Sequence, residues 1–166
     1  MVREKAEVKA EAKAKNIEMH FGDVILIASQ KGSELDDDDP EKIMKGRAVF
    51  RGDNVRDEFD KYAFFDDKSS NPASTEAAKA GVNYGLLKGH KSTQADGKQA
   101  YTQSKLGGPL TWLSLPKHLR PKEWDKYKDP VCLLVYSLYG HPRAGQFWER
   151  HAEEKLKSIG YIPVPG

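Results

Sequence analysis

Two stretches near the front of the chain have the pattern of paired β-strands. Residues 23–28 form an apolar run after Asp23, and residues 45–52 alternate polar with apolar side chains in their first part. Between them lies the segment 32–40, with four consecutive aspartates at 36–39. A calcium loop spaces its ligands around a Gly turn and closes with Glu, and that spacing is absent. We therefore predict a β-hairpin with a solvated acidic tip.

The remainder of the pattern predicts strands and helices in loose alternation. A helix is expected from about Pro72, with Gly89 as its stop signal, and its small residues at every fourth position indicate close packing on a sheet. Further expected elements are a strand at 91–96, a turn or short helix at 101–105, strands at 110–115 and 131–136, and a helix at 144–158 ended by Gly160. This order predicts an α+β (mixed α/β) sheet domain.

Residues 1–20 are set apart by their composition. Lys, Glu and Ala alternate through residues 2–16 without a continuous apolar stripe, and like charges stack at Lys5, Lys9 and Lys13. We interpret this segment as a solvated helix or a linker, and residues 21–166 as the folded part of the chain.

Charge is distributed locally along the chain. Its 166 residues carry a net charge of only +2, so no global basic field indicates a nucleic-acid partner. Between Lys98 and Lys128, however, there are seven Lys or Arg residues and only two acidic residues, and Trp and Tyr residues are interspersed among them. Lys117, Arg120 and Lys122 are the candidate nucleic-acid-binding residues of this segment. The alternative is a solvated loop whose Trp residues face the core.

Composition also excludes several classes of protein. The single Cys132 rules out an internal disulfide and a Cys-based zinc site, and its apolar neighbours indicate a buried position. No export signal is present, and the longest apolar stretch is too short to span a bilayer. We expect an intracellular protein with no membrane partner; the cytoplasm and the nucleus are not distinguished.

Three motifs, in chain order, resemble the reverse transcriptase of copia-type LTR retrotransposons. Residues 45–52, Lys-Gly-Arg-Ala-Val-Phe-Arg-Gly, are similar to the family's K-x-R-x-V-x-[KR]-G. Residues 94–101, Gln-Ala-Asp-Gly-Lys-Gln-Ala-Tyr, are similar to Q-x-D-V-K-x-A-[FY], and residues 137–140, Ser-Leu-Tyr-Gly, with Trp148 are similar to S-L-Y-G…P-R-A-W. The resemblance covers residues 23–166 and implies the fingers hairpin and partial palm of a right-hand polymerase.

The resemblance implies a function and a metal. Such an enzyme is an RNA-directed DNA polymerase, which adds deoxynucleotides to the primer of an RNA or DNA primer–template by phosphoryl transfer with two Mg²⁺ ions. Asp96 resembles the family's first metal-binding aspartate, and a carboxylate is a ligand that Mg²⁺ prefers. Gly97 stands where the family has Val, whose backbone carbonyl contributes to the metal site.

The resemblance also assigns substrate contacts. Tyr101 corresponds to the aromatic ring under the incoming sugar, where it would exclude a ribose 2′-hydroxyl. Lys45 and Arg47, two residues apart and on one face of their strand, would contact the triphosphate, Arg47 with a bidentate guanidinium. Tyr139 and Gly140 would line the pocket for the template nucleotide, with Gly140 allowing a close backbone approach.

The sequence also departs from the family. Residues 141–146 keep the expected length but not the expected residues, and no Tyr-x-Asp-Asp follows Asp96. Asp66 and Asp67 lie upstream of Asp96, in the wrong order to replace that pair. A single carboxylate cannot hold two ions, so we expect weak Mg²⁺ binding, no polymerisation by this chain alone, and the rest of a polyprotein elsewhere. The alternatives are a non-catalytic nucleic-acid-binding module and an unrelated small α/β protein.

Overall fold

The computed structural model describes residues 1–65 and 74–163, which form a mixed α+β structure. The described residues contain three α-helices and one five-stranded sheet. The strands are β1 (Val2–Glu4), β2 (Met19–Lys31), β3 (Ile43–Phe50), β4 (Leu110–Ser114) and β5 (Pro130–Leu133). The helices are α1 (Lys5–Lys15), α2 (Thr75–Gly85) and α3 (Ala144–Ser158). None of these helices is long and apolar enough to cross a bilayer.

The strand order in the sheet is β1-β5-β4-β2-β3. The first half of β2 pairs parallel with β4, with Phe21 opposite Trp112, and its second half pairs antiparallel with β3, with Ile27 opposite Arg47. Strands β4 and β5 are antiparallel, and β1 closes the far edge beside β5. One long strand therefore belongs both to the body of the sheet and to the hairpin.

Apolar side chains are buried on both faces of this sheet. Neighbouring residues of a strand point to opposite faces, so Trp112 and Leu113 belong to different clusters. The first cluster lies under α1 and consists of Val8, Ala12, Met19, Phe21, Trp112 and Val131. The second lies on the other face and consists of Val24, Phe50, Val55 and Leu113, with partly buried neighbours that include Phe65 and Leu138.

The predicted hairpin is confirmed, and it is longer than its sequence pattern indicated. Strand β2 continues to Lys31, and β3 begins at Ile43. Beyond Val24 the side chains of β2 are exposed or half-exposed, so this part of the hairpin is held mainly by its ladder and not by core packing. At the tip, Lys42 pairs with Asp37 and the backbone N–H of Glu41 donates to the Asp39 carboxylate at 2.8 Å.

The N-terminal segment is helical, as one of the two predictions had it, but it is not fully solvated. Val8 and Ala12 are completely buried against the sheet. The carboxylate of Glu4 accepts hydrogen bonds from the backbone N–H groups of Lys128 and Asp129, at 3.0 and 2.8 Å. The sequence pattern did not reveal this apolar stripe, because the stripe consists of only two small residues among lysines and glutamates. Residues 2–15 are therefore part of the packed structure.

Two other predictions are wrong. Residues 91–96 form no strand; they are irregular and exposed, because none of their side chains is apolar enough to favour burial. The small-residue face of α2 does not pack on the sheet: Gly81 has open space around it, and Gly85 lies against Ser92. The described part of this helix starts at Thr75, where Ser74 caps it through a hydrogen bond from the Ala77 N–H. Pro72 lies outside the described residues.

The burial of Val8 gives a test of the N-terminal packing. Replacing Val8 by Ala removes two buried methyl groups and leaves a cavity, so we expect a loss of about 2 kcal/mol in the free energy of unfolding, measured with urea. Val82 on α2 is 58% exposed, and Val82→Ala should change that free energy by less than about 0.5 kcal/mol. Equal effects of the two substitutions would show that α1 is not packed.

Candidate nucleotide-binding site

A cleft of about 630 Å³ lies between β3 and two loops from later in the chain. Strand β3 forms one side of it, and the turn at 100–103 together with the loop at 137–140 forms the other. Its lining residues are Lys45, Gly46, Arg47, Ala48, Gln99, Thr102, Leu138 and Tyr139. Each of the three motifs of the sequence therefore contributes residues to one cleft.

The basic side of the cleft comes from β3. Lys45 and Arg47 alternate with Gly46 and Ala48, so the two long side chains share a face of the strand and small residues separate them. Both basic residues are exposed. Within the described residues, the ion pairs of this region join Lys42 to Asp37 and Arg51 to Asp53, and they leave Lys45 and Arg47 available to a ligand.

The aromatic side comes from Tyr139, and Tyr101 packs on that ring without lining the cleft itself. The rings of Tyr101 and Tyr139 lie 4.7 Å apart between centroids, with an angle of 56° between their planes. Tyr139 is 38% exposed, so its ring is available to a ligand in the cleft. Gln99 and Thr102 flank Tyr101, and Gln99 adopts a left-handed backbone conformation with φ of 53°.

A buried pair of hydroxyl groups holds the two loops together. Ser104 and Ser137 are each 1% exposed, and their Oγ atoms lie 3.1 Å apart. The Ser104 hydroxyl also donates to the Tyr101 carbonyl at 2.9 Å, and the Ser137 N–H donates to the Ser104 carbonyl at 2.8 Å. Because buried polar groups are costly when unpaired, this network fixes Tyr101 relative to Tyr139.

The loop at 137–140 is also joined to β3. The N–H of Phe50 donates to the Tyr139 carbonyl at 2.7 Å, at the outer edge of the sheet. Gly140 follows with φ of 88°, a conformation that favours glycine. A Cβ at this position would also lie 2.7 Å from a methyl carbon of Val49. The close approach at Gly140 is therefore to the end of β3; Tyr139 lines the cleft and Gly140 does not, so its contact with a template nucleotide stays a prediction.

The predicted metal ligands lie outside this cleft lining. Asp96 is exposed on the irregular segment, and Gly97 lies against Trp148, where a Cβ would approach the indole ring to 2.9 Å. Within residues 1–65 and 74–163, no three His, Cys, Asp or Glu side chains are close enough together to hold a metal ion. The described surroundings of Asp96 thus supply one carboxylate, which does not fit a site for two Mg²⁺ ions.

The basic segment, residues 98–128, ends in two short turns, each led by a proline. Lys117 and Lys122 are exposed on the turns Lys117–Leu119 and Lys122–Trp124. Arg120 is partly buried, and its Nε donates to the Leu115 carbonyl at 2.8 Å. Trp112, by contrast, is 4% exposed and belongs to the core. The rings available beside the lysines are those of Trp124 and Tyr127, both half-buried.

A buried histidine lies directly after Gly140. His141 is 5% exposed and packs against Phe50 and Phe65, at 5.0 and 5.8 Å between ring centroids. Burial lowers the pKa of His141 from 6.5 to about 4, and the nearby His20 and Arg143 contribute to the same shift. Its Nδ1 accepts the Arg143 N–H at 3.2 Å, as expected of a neutral imidazole.

The sequence did not indicate Gln99 and Thr102 as lining residues. The sequence could have indicated them through their position on either side of Tyr101, because a tight turn brings neighbouring side chains close to the Tyr101 ring. Comparison with protein-family models, with curated proteins and with solved structures finds no significant match to this chain.

The state of His141 leads to a prediction about pH. The unfolded chain gains a proton on this residue near pH 6.5, whereas the native chain does so only near pH 4, so stability falls as the pH falls through that window. Between pH 7.5 and pH 5 we expect a loss of about 2 kcal/mol in the free energy of unfolding. His141→Gln should remove most of this loss, and His90→Gln, at an exposed site, should keep it. A pH-independent stability of the unsubstituted protein would contradict the prediction.

Proposed function

We propose that the chain is the fingers hairpin and partial palm of a copia-type RNA-directed DNA polymerase, and that the cleft beside β3 binds a deoxynucleoside triphosphate. The observation that carries this proposal is the convergence of the three motifs on one cleft. Lys45 and Arg47 from the first motif face Tyr139 from the third, and Tyr101 from the second packs on Tyr139.

The chemistry of the cleft suits a nucleotide better than a neutral ligand. A triphosphate presents several oxygens to Lys45 and Arg47, and a guanidinium can bind two of them at once. Tyr139 supplies an aromatic ring on the opposite side of the cleft, suitable for a sugar or base, and Tyr101 packs against that ring. Together the two sides would orient an extended molecule that is anionic at one end and planar at the other.

In this proposal Asp96 is the first metal-binding aspartate, and Gly97 contributes its backbone carbonyl. The residues described around Asp96 do not complete a site for Mg²⁺, so the chain's own contribution is limited to binding and orienting the nucleotide through the cleft. We infer that primer extension requires further carboxylates close to Asp96, which residues 1–65 and 74–163 do not supply.

The cleft proposal is tested with nucleotide binding. We expect dTTP to bind more tightly than thymidine, because the basic strand contacts phosphate. Arg47→Ala should weaken dTTP binding by roughly tenfold and leave thymidine binding unchanged, as measured by calorimetry in magnesium-free buffer.

Arg150→Ala is the matched control for this test, because it removes the same charge from an exposed position on α3. Its dTTP affinity should equal that of the unsubstituted protein. Equal weakening by both substitutions would indicate a nonspecific charge effect and would contradict the proposed site.

A second candidate function is non-catalytic binding of nucleic acid through the basic segment. The exposure of Lys117 and Lys122 on consecutive turns, with Trp124 and Tyr127 nearby, favours it. Phosphate contacts from such lysines carry no base information, so binding would tolerate any sequence. The two candidates are compatible, since the turns and the nucleotide cleft consist of different residues.

The second candidate predicts a salt-dependent affinity. If three or four basic side chains reach phosphates, log Kd for a single-stranded oligonucleotide should change with log salt with a slope of roughly 2 to 4 in magnitude. Replacing Lys117, Arg120 and Lys122 together by Ala should reduce that slope by about one for each side chain that reaches a phosphate, for every oligonucleotide sequence. An unchanged slope would show that the segment is a solvated loop.

A further inference from the structure

The end of β3 and the loop at 137–140 cross at two glycines. Gly52 follows β3 by two residues, and Gly140 ends the loop. A Cβ on Gly52 would come closer than 3.0 Å to the carbonyl oxygen of Gly140, and a Cβ on Gly140 would come equally close to the carbonyl oxygen of Phe50. Each obstacle is backbone, which cannot rotate away as a side chain could. The two chain segments therefore touch backbone to backbone.

The requirement for glycine differs at the two positions. Gly140 has φ of 88°, so its conformation alone favours glycine. Gly52 does not have a positive φ, and any residue could adopt its conformation. Only the contact with the loop, together with the ring of Pro142 at 3.2 and 3.3 Å, excludes a side chain there. A substitution at Gly52 therefore tests the contact between the two segments alone, because no positive φ is involved.

We infer that Gly52 is a positioning residue, which sets the distance between the basic side of the cleft and Tyr139; this inference rests on the proposed nucleotide function. The Phe50 N–H to Tyr139 carbonyl hydrogen bond forms only if the loop lies directly on the end of β3. Arg47 and Lys45 lie on the same strand, three and five residues before Phe50. A side chain at position 52 would push the loop outward and move Tyr139 away from both.

The first test measures geometry without any ligand. In the unsubstituted protein we expect nuclear Overhauser contacts between the Tyr139 ring and side chains of β3 that line the cleft, and slow hydrogen exchange of the Phe50 N–H. Gly52→Ala should weaken those contacts and accelerate that exchange. The backbone N–H of Trp112, in the core, should stay protected from exchange in the variant. Rapid exchange of Phe50 in the unsubstituted protein would overturn the inference even if the variant fails to fold.

The second test measures binding of dTTP. Gly52→Ala should weaken it by about fivefold or more, and Gly81→Ala, which adds a methyl group in open space on α2, should leave it unchanged. In an Arg47→Ala background, Gly52→Ala should weaken dTTP binding by a smaller factor than in the unsubstituted protein, because the alignment of the loop with Arg47 no longer contributes and only that with Lys45 remains. A merely structural role would give the same fold-change in both backgrounds, and that result would overturn the inference.

The two tests separate the possible failures. If the unsubstituted protein binds no dTTP, the proposed function fails, and the exchange and Overhauser measurements still decide whether Gly52 positions the loop. If dTTP binds and Gly52→Ala changes neither its affinity nor the Tyr139 contacts, the positioning role is wrong while the nucleotide site stands.

Discussion

The parallel pairing of β2 with β4 is the constraint on which the rest of the structure depends. It joins residues 19–23 to residues 110–114, and it places Phe21 and Trp112 in the cluster under α1. Because β2 continues past this pairing without a break, the same strand also carries the hairpin. A parallel pair needs a long connection, and here that connection contains the hairpin, α2 and the segment that carries Tyr101.

The candidate site is held by polar and steric contacts in addition to the packing of Leu138 against the second core cluster. Its basic strand is at the edge of the sheet and exposed, so the cleft takes its shape from the loops that cover that edge. The Ser104–Ser137 hydroxyl pair joins the two loops to each other, and the Phe50 hydrogen bond joins one of them to β3. Each of these bonds is directional, whereas apolar packing would allow the loops to slide.

The two neighbours of Gly140 in the chain differ in exposure. Tyr139 is exposed toward the cleft, whereas His141 is buried among aromatic rings, and its lowered pKa keeps it neutral near pH 7. A neutral imidazole at this point adds no charge beside the basic strand. Among the residues that line the cleft, the positive charge therefore comes from Lys45 and Arg47, and a ligand anion would meet it at the exposed edge.

The sequence determined the elements that have a clear period or a strong cap. The hairpin, the strands at 110–114 and 130–133 and the helix at 144–158 follow from alternation, apolar runs and terminating residues such as Gly160. It also offered Lys45, Arg47, Tyr101, Tyr139 and Gly140 as candidates, because each lies within a recognisable motif, and of these Lys45, Arg47 and Tyr139 line the cleft. The family to which those motifs point remains a proposal.

The tertiary structure alone decided which residues meet. The packing of α1 depends on Val8 and Ala12, two small side chains whose burial is visible only once the sheet is beside them. Residues 91–96 are irregular because they have no neighbouring strand, and pairing is a property of two segments. Gly52 is the last residue of the first motif, but only the crossing with Gly140 shows why a side chain does not fit there. A pattern along one segment indicates the conformation that the segment favours, whereas a contact depends on a partner far away in the chain.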